Sequence, residues 1–148
     1  MYTDGSSLGN PGPGGYGIVL KFGNKRKELS KGFFKTTNNR MELLAVIDAL
    51  KSLKRRDLDI LIHSDSSYVI NAVVQGWLFD WERKGFKKTK NTDLWKDFLK
   101  LYKTYKIEFN WVKAHVGIAE NERCDQLAKE AAECPTERDL IYESKNPN

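Results

Sequence analysis

Four acidic residues of this 148-residue chain stand where an α/β protein gathers functional groups, at strand ends and in first helical turns. Asp4 lies in Tyr2-Thr-Asp-Gly-Ser6, the end of a strand against a Gly/Pro loop, and Asp65 ends the apolar run Ile60-Leu-Ile-His-Ser-Asp65 against a helix start. Asp125 falls early in a helix, in Asn121-Glu-Arg-Cys-Asp125-Gln. Glu42 sits where the polar Lys35-Thr-Thr-Asn-Asn39 runs into an amphipathic helix. In that helix Leu43, Val46, Ile47, Leu50 and Leu53 recur at three- and four-residue steps, which buries one face. At about 100° per residue Glu42 falls on the margin of that face, with Ala45 and Ala49 leaving open space beside it. Taken alone, Asn39 and Glu42 read as a capping box, N-cap and N3. With three more acids converging on it, Glu42 reads as part of a site. Four carboxylates at one point repel unless a cation joins them, and oxygen ligands suit a hard divalent ion such as Mg²⁺. Neither His nor Cys is clustered at zinc spacing.

The acids sit in more specific stretches: Thr3-Asp-Gly-Ser6 with Gly9-Asn-Pro-Gly-Pro-Gly-Gly15, Thr37-Asn-Asn-Arg-Met-Glu42-Leu, Asp65-Ser-Ser-Tyr68, and Val112-Lys-Ala-His115-Val-Gly with Asn121-Glu-Arg-Cys-Asp125. In this order, and over nearly the whole chain, they resemble the ribonuclease H type 1 family. The resemblance implies an endonuclease that hydrolyses the RNA strand of RNA/DNA hybrids, leaving 5′-phosphate and 3′-hydroxyl ends. It implies two Mg²⁺ ions, with Mn²⁺ as a substitute; two such ions about 3.5–4 Å apart activate a water and stabilise the leaving oxygen of an in-line displacement. By resemblance Asp4 bridges both ions, Asp65 completes the nucleophile-side ion, and Glu42 and Asp125 hold the other. His115, ten residues before Asp125, becomes a helper that moves a proton or eases product release, since imidazole titrates near working pH. Ala114 replaces the family's Gly before this His. The rival readings are a DNA-directed nuclease of the same fold and a non-catalytic hybrid-binding module.

Selecting a hybrid requires reading 2′-hydroxyls across a shallow minor groove. Asn10, Asn38 and Asn39, with the backbone of Gly5 and Ser6, offer short donors and acceptors for this, although an Asn before Pro is also a turn former. By resemblance Lys35, Thr37 and Asn91 grip a phosphate of the DNA strand and Trp81 lies against its sugars, while Trp77 packs. Ser67 stands where the family often carries Gln for a base-edge contact. Net charge is +5, concentrated in Arg83-Lys84-Gly-Phe-Lys87-Lys88-Thr-Lys90, which holds five cations and no acid. A solvated loop is the plain reading of such a run. Interleaved with Trp77, Trp81 and Phe86, residues 77–91 read instead as a basic, aromatic handle for nucleic acid.

The hydrophobic pattern predicts the elements that must hold these residues. A strand opens near Tyr2, and Leu8 to Gly15 turns on four Gly and two Pro without the Gly-Lys-Ser/Thr of a phosphate loop. Tyr16, Ile18, Leu20 and Phe22 alternate as a strand, Gly23-Asn24 turns the chain, and residues 27–35 return. Leu58 to Ser64 reads as a strand buried on both faces, hence at a sheet centre. Ser66 or Ser67 caps a helix through Gln75, and Thr92 caps another whose face carries Leu94, Phe98, Leu101, Tyr102 and Tyr105. Ile107, Phe109 and Trp111 alternate as the last strand, and residues 119–133 form the last helix, with Cys124, Leu127, Ala128 and Ala131 inward. The order predicts an α/β fold: a mixed five-stranded sheet, three antiparallel strands plus two parallel, with helices on both faces. The ribonuclease H resemblance implies the same fold, with Asp4 and Asp65 ending neighbouring parallel strands.

At 40% hydrophobic content the chain can fill one core, so residues 1–135 read as a single domain and 136–148 as a fraying tail. With no run of membrane-span length and no leader, a soluble, cytoplasmic monomer is expected. Cys124 and Cys134, ten residues apart on one helix, would be about 15 Å from each other at about 1.5 Å per residue, too far to bridge.

Overall fold

The structure is a computed structural model and describes residues 1–112 and 118–147. Its strands are β1 (Tyr2–Ser7), β2 (Gly12–Phe22), β3 (Lys25–Thr36), β4 (Asp59–Ser64) and β5 (Lys106–Trp111). Its helices are α1 (Asn38–Lys51), α2 (Ser67–Val74), α3 (Trp77–Arg83), α4 (Thr92–Thr104), α5 (Ala119–Glu133) and α6 (Leu140–Lys145). The sheet order is β3-β2-β1-β4-β5, antiparallel through β3, β2 and β1 and parallel through β1, β4 and β5. This is the mixed five-stranded α/β sheet expected from the sequence, with two short helices, α3 and α6, added.

The two faces of β2 explain its composition. Tyr16 and Ile18 pack with Phe33, Met41, Ala45 and Ala49 under α1. The small residues of α1 therefore leave no open space, since Ala45 and Ala49 are fully buried against the sheet. On the opposite face a Cβ at Gly15 or Gly17 would collide with the α5 backbone at the Ala128 and Cys124 carbonyls. Helix α5 thus lies on the sheet at backbone distance, and the glycines first read as a turn lie mostly within a strand that starts at Gly12.

The main core is built by Leu43, Val46, Ile47 and Leu50 of α1 with Ile60 and Ile62 of β4 and Trp95 and Phe98 of α4. Trp95, absent from the predicted face of α4, is fully buried and donates its indole N–H to the Tyr68 hydroxyl at 3.0 Å. β4 is not buried on two faces and lies one position from the sheet centre. Ile60 and Ile62 point into the core, while Leu61 on the other face is 45% exposed, because α5 packs on β1, β2 and β3. Trp111, expected inward, is exposed for a related reason, lying at the end of edge strand β5. In α5, Ala132 is buried where Ala131 was expected. Both cysteines are free, Cys124 buried and Cys134 exposed.

Helix starts differ from expectation by a residue or two. Thr37, not Asn39, is the N-cap of α1, its hydroxyl accepting from the Arg40 N–H at 3.2 Å. Glu42 is thereby released from a capping box. Ser66 caps α2, and Asn91, in the left-handed region at φ 58, precedes α4 in place of Thr92.

The described residues after Pro135 are tied to the rest of the fold where a fraying tail was expected. The Phe34 N–H donates to the Glu137 carbonyl at 3.0 Å, and Asp139 is buried. Asp139 accepts from Thr36 Oγ1 at 2.7 Å and from Arg40 at 2.7 and 3.0 Å. Arg40, itself 4% exposed, also forms a two-pronged pair with Asp93 at 2.9 and 2.7 Å. A buried guanidinium held by two acids ties α1, α4 and the C-terminal segment together. Burial pushes the Asp93 carboxyl up, but the Arg40 guanidinium more than offsets this and holds it below the usual carboxylate range.

Arg40→Met should cost roughly 3 kcal/mol or more, because it leaves two acids without their cation. The Asp93 contribution is fully present above its unfolded pKa of about 3.9 and is lost as pH falls through its lower folded value. Thermal melts of wild type and Asp93→Asn should therefore differ most above about pH 5 and converge in acid; a difference that grows on acidification would mean Asp93 is not ionised in the fold.

Candidate active site

Because β1 and β4 run parallel side by side, Asp4 within β1 and Asp65 directly after β4 come to the same end of the sheet. Helix α1 crosses β1 there. Gly5 makes the crossing possible, since a Cβ on it would run into the backbone of Met41 and Glu42. Its N–H donates to Glu42 Oε1 at 2.7 Å and to Asp4 Oδ1 at 2.9 Å, so one backbone group orients two acids. Asp4, Glu42 and Asp65 each offer an oxygen, and the three lie within 4.8 Å of one another. Asp4 and Glu42 are buried and Asp65 is half-buried.

Burial pushes the Asp4 carboxyl well above its ordinary range, and repulsion from Glu42, Asp65 and Asp125 adds to the rise. Glu42 is raised as well, first by burial and then by Asp65, with the Asp4 and Gly5 hydrogen bonds acting the other way. Three inward-facing oxygens whose charged forms are costly fit a hard divalent cation, which repays both desolvation and repulsion.

The acids open into a cavity of about 390 Å³ that is also lined by Gly5, Ser6, Asn38, Asn39, Ser67 and Asp125. The structure thus brings three of the four expected acids into one cluster and sets the fourth on the same wall. Asp125 stands outside the three-oxygen group, its Oδ2 2.9 Å from Lys129 Nζ one turn along α5. Asn121 and Glu122 line the cavity as well. The three-residue step from Glu122 to Asp125, which puts both on one face of α5, was the signal for it.

The other expected site residues divide. Asn10 Oδ1 accepts from the Asn38 N–H at 3.1 Å and so clamps the loop before β2 to α1. Asn10, Thr37, Asn39 and Asn91 line a second cavity of about 520 Å³. Asn39 lines both. Lys35 donates to the Asn146 carbonyl at 2.7 Å. Trp81 is half-buried, its ring 5.3 Å from Trp95, whereas Trp77, expected to pack, is 47% exposed. Lys87 and Lys88 are exposed, and Arg83 is paired with Asp80. His115 lies outside the described residues. His63 stacks on Tyr2 at 4.4 Å, away from the acids.

Residues 1–133 match the family model described as RNase H. The chain belongs to the RNase H family. It is 52% identical over 140 residues to a Ribonuclease H of Desulforamulus reducens, a match covering 91% of this chain and 87% of that protein. It is 49% identical over 152 residues to Ribonuclease HI of Shewanella oneidensis, covering 99% and 95%. Among solved structures, LC9-RNase H1, a type 1 RNase H with the type 2 active-site motif, is similar at TM-score 0.80 and 32% identity, covering 91% of this chain and 72% of that one. LC11-RNase H1, solved in complex with an RNA/DNA hybrid, is similar at TM-score 0.65 and 27% identity, covering 89% and 94%. The acid cluster of this RNase H chain comes from the same β1, α1 and β4 segments whose motifs carried the sequence resemblance.

If the cluster is a cation site, Asp4→Asn should stabilise the protein in EDTA. Without metal the fold holds Asp4 protonated well above its ordinary range while the unfolded chain ionises it, and the amide removes that cost, which grows as pH rises above the unfolded value of about 3.9. Added Mg²⁺ should raise the wild-type Tm and leave the variant's nearly unmoved. A variant clearly less stable than wild type in EDTA would make Asp4 a structural hydrogen-bonding group.

Proposed function

We infer that the chain is a ribonuclease H that hydrolyses the RNA strand of RNA/DNA hybrids. The observation that carries this is the buried cluster of Asp4, Glu42 and Asp65 at the mouth of a polar cavity, in a chain about half identical to ribonucleases H over most of its length. The complex formed by LC11-RNase H1 supports a hybrid as the substrate. No helix among the described residues is long and apolar enough to cross a membrane, and we propose the cytoplasm as its place of action.

Asp4, whose Oδ1 accepts from the Gly5 N–H and whose oxygen lies within 4.8 Å of those of Glu42 and Asp65, would be the ligand shared by two ions. Asp65 would complete the set around one ion, and Glu42, with Asp125 from the cavity rim, the set around the other. When bound, two Mg²⁺ ions, or Mn²⁺ as substitute, would provide the chemistry of activating a water and neutralising the leaving oxygen, which would give 5′-phosphate and 3′-hydroxyl ends. The Gly5 N–H holds Asp4 and Glu42 in place, so little reorganisation is needed when the phosphate arrives. His115 would move a proton or ease product release. Ser6, Asn38 and Asn39 present short polar groups from the cavity wall to the 2′-hydroxyls, and Ser67 lies on the same wall.

End-labelled hybrid should be cut in its RNA strand with Mg²⁺, remain whole with EDTA, and resist Asp4→Asn, while duplex DNA of the same sequence is spared. Cleavage of the duplex at a similar rate would move the reading to a DNA-directed nuclease. Binding without turnover would leave a hybrid-binding module.

The segment around α3 is a binding handle separate from the acids. Arg83 is partly neutralised by Asp80, so the charge available to phosphates sits on Lys84, Lys87, Lys88 and Lys90, all exposed. Replacing these four by Ala should flatten the log affinity versus log salt slope by at most about 3.6, at about 0.9 per phosphate contact. KM should rise while kcat at saturating hybrid stays within a few-fold, because binding is lost equally from ground and transition states. An unchanged slope would return the run to a solvated loop.

A further inference from the structure

We propose that Arg26 and Glu28, two residues apart on edge strand β3, are positioning residues for Asp125. With Glu120 and Arg123 they form an ion clasp that sets the first turn of α5, and with it the rim of the acidic cavity. The proposal rests on the ribonuclease H reading and extends it to two side chains that do not line that cavity.

Helix α5 is held to the sheet in two ways. From Cys124 onward it is seated on bare backbone: a Cβ at Gly17 would meet the Cys124 carbonyl, one at Gly15 the Ala128 carbonyl and one at Gly32 the Ala131 carbonyl. Among the described glycines these seats end at Cys124. The turn before it has no such seat, and its N-cap, Ile118, makes no side-chain capping hydrogen bond. Yet Ile118, Asn121, Glu122 and Asp125, all from this end of the helix, line the cavity. The part of α5 that serves the site is therefore the part the glycine seats do not reach.

The clasp supplies the hold that is missing there. Arg26 donates to Glu120 through Nε and Nη2 at 2.9 and 2.8 Å, and its Nη1 lies 2.8 Å from Glu28 Oε2. Arg123 donates to the same Glu28 through Nε and Nη2 at 2.9 and 3.0 Å, and gives its Nη1 to Gln126 Oε1 at 2.8 Å. Lys21 Nζ stands 3.6 Å from Glu120. A lone surface pair would fix little, but two bidentate forks joined through shared charges constrain angle as well as distance. At about 100° per residue Glu120 lies about 140° and Arg123 about 160° around the helix from Asp125. The clasp thus grips the side of α5 turned away from the cavity and fixes the rotation of its first turn. Rotation there would carry Asp125 along the cavity wall, away from the central acids.

The test compares Glu28→Ala and Arg26→Ala in the full chain, since they open the clasp from the β3 side with opposite changes in net charge. The control is Arg55→Ala, which breaks an exposed pair with Asp57 in the turn after α1, away from the cavity. Steady-state cleavage of hybrid is measured in Mg²⁺, and amide hydrogen exchange is measured on the metal-free protein in EDTA. Both clasp variants should lower kcat about threefold to thirtyfold, as a misplaced group at the site requires. KM should stay within about twofold, because binding is not what is lost. In EDTA the amides of residues 122–125 should exchange about tenfold faster, while those of α1 and β4 keep wild-type rates. Arg55→Ala should change none of these. Opposite effects of the two variants on the kinetics would mean that their charges act through a long-range field, and would overturn the clasp. Wild-type kcat in both variants overturns it too, as does exchange accelerated across the whole chain. Wild-type protein that binds hybrid without cutting it overturns the nuclease reading and leaves the exchange rates to decide the clasp.

Discussion

The site depends on one close approach, that of α1 to β1 at Gly5. With no side chain between them, the helix backbone at Met41 and Glu42 rests on the strand, and the Gly5 N–H reaches both Asp4 and Glu42. The cost is that two carboxylates are desolvated side by side, which raises both groups. The main core supplies the force that sustains this. Leu43, Val46, Ile47 and Leu50, fully buried, follow Glu42 on the same helix and fix its height above the sheet. Buried apolar area thus stabilises an arrangement that electrostatics alone would push apart.

The opposite end of α1 is not where the second constraint lies; it is at the helix's first turn again, on Arg40. Glu42 and Arg40 are two residues apart and face different cavities, one acidic and one cationic in its rim. A single helical turn therefore organises both the group of acids and the seam with α4 and the C-terminal segment. The rigid pairing of Arg40 with Asp93 and Asp139 makes that turn an unsuitable place for movement, which suits a site whose ligands must be held before the substrate arrives.

Much of this was legible in the sequence because it rests on local pattern. The alternation of Tyr16 and Ile18, the stripe from Leu43 to Leu50 and the apolar run into Asp65 gave the sheet and the places of three acids. What was missed depends on partners far away in the chain. Gly12, Gly14 and Gly15 look like turn residues until β2 is seen to start at Gly12, with α5 laid against Gly15. Asp139 looks like tail until Arg40, 99 residues earlier, is seen to need a second acid. The two faces of β4 look alike in Ile60, Leu61 and Ile62, and only the reach of α5 decides which is covered. Trp77, expected to pack, is exposed, and nothing local shows that Trp95 lies beside Trp81, four residues on along α3. The pairing of Asp125 with Lys129 was available as a four-residue step, but a step does not show which of several neighbours a side chain will choose.

Gly17 has a place in this structure out of proportion to its chemistry. It is paired in register with Asp4, and the Cys124 carbonyl, one residue before Asp125, lies over its Cα. The thickness of a bare peptide therefore sets the spacing between an acid of the central cluster and the acid on the cavity rim. A residue that binds nothing and titrates nothing serves as the gauge between them. Any side chain at Gly17 would meet the Cys124 carbonyl and lift α5 from the sheet, carrying Asp125 away from the central acids without touching any functional group.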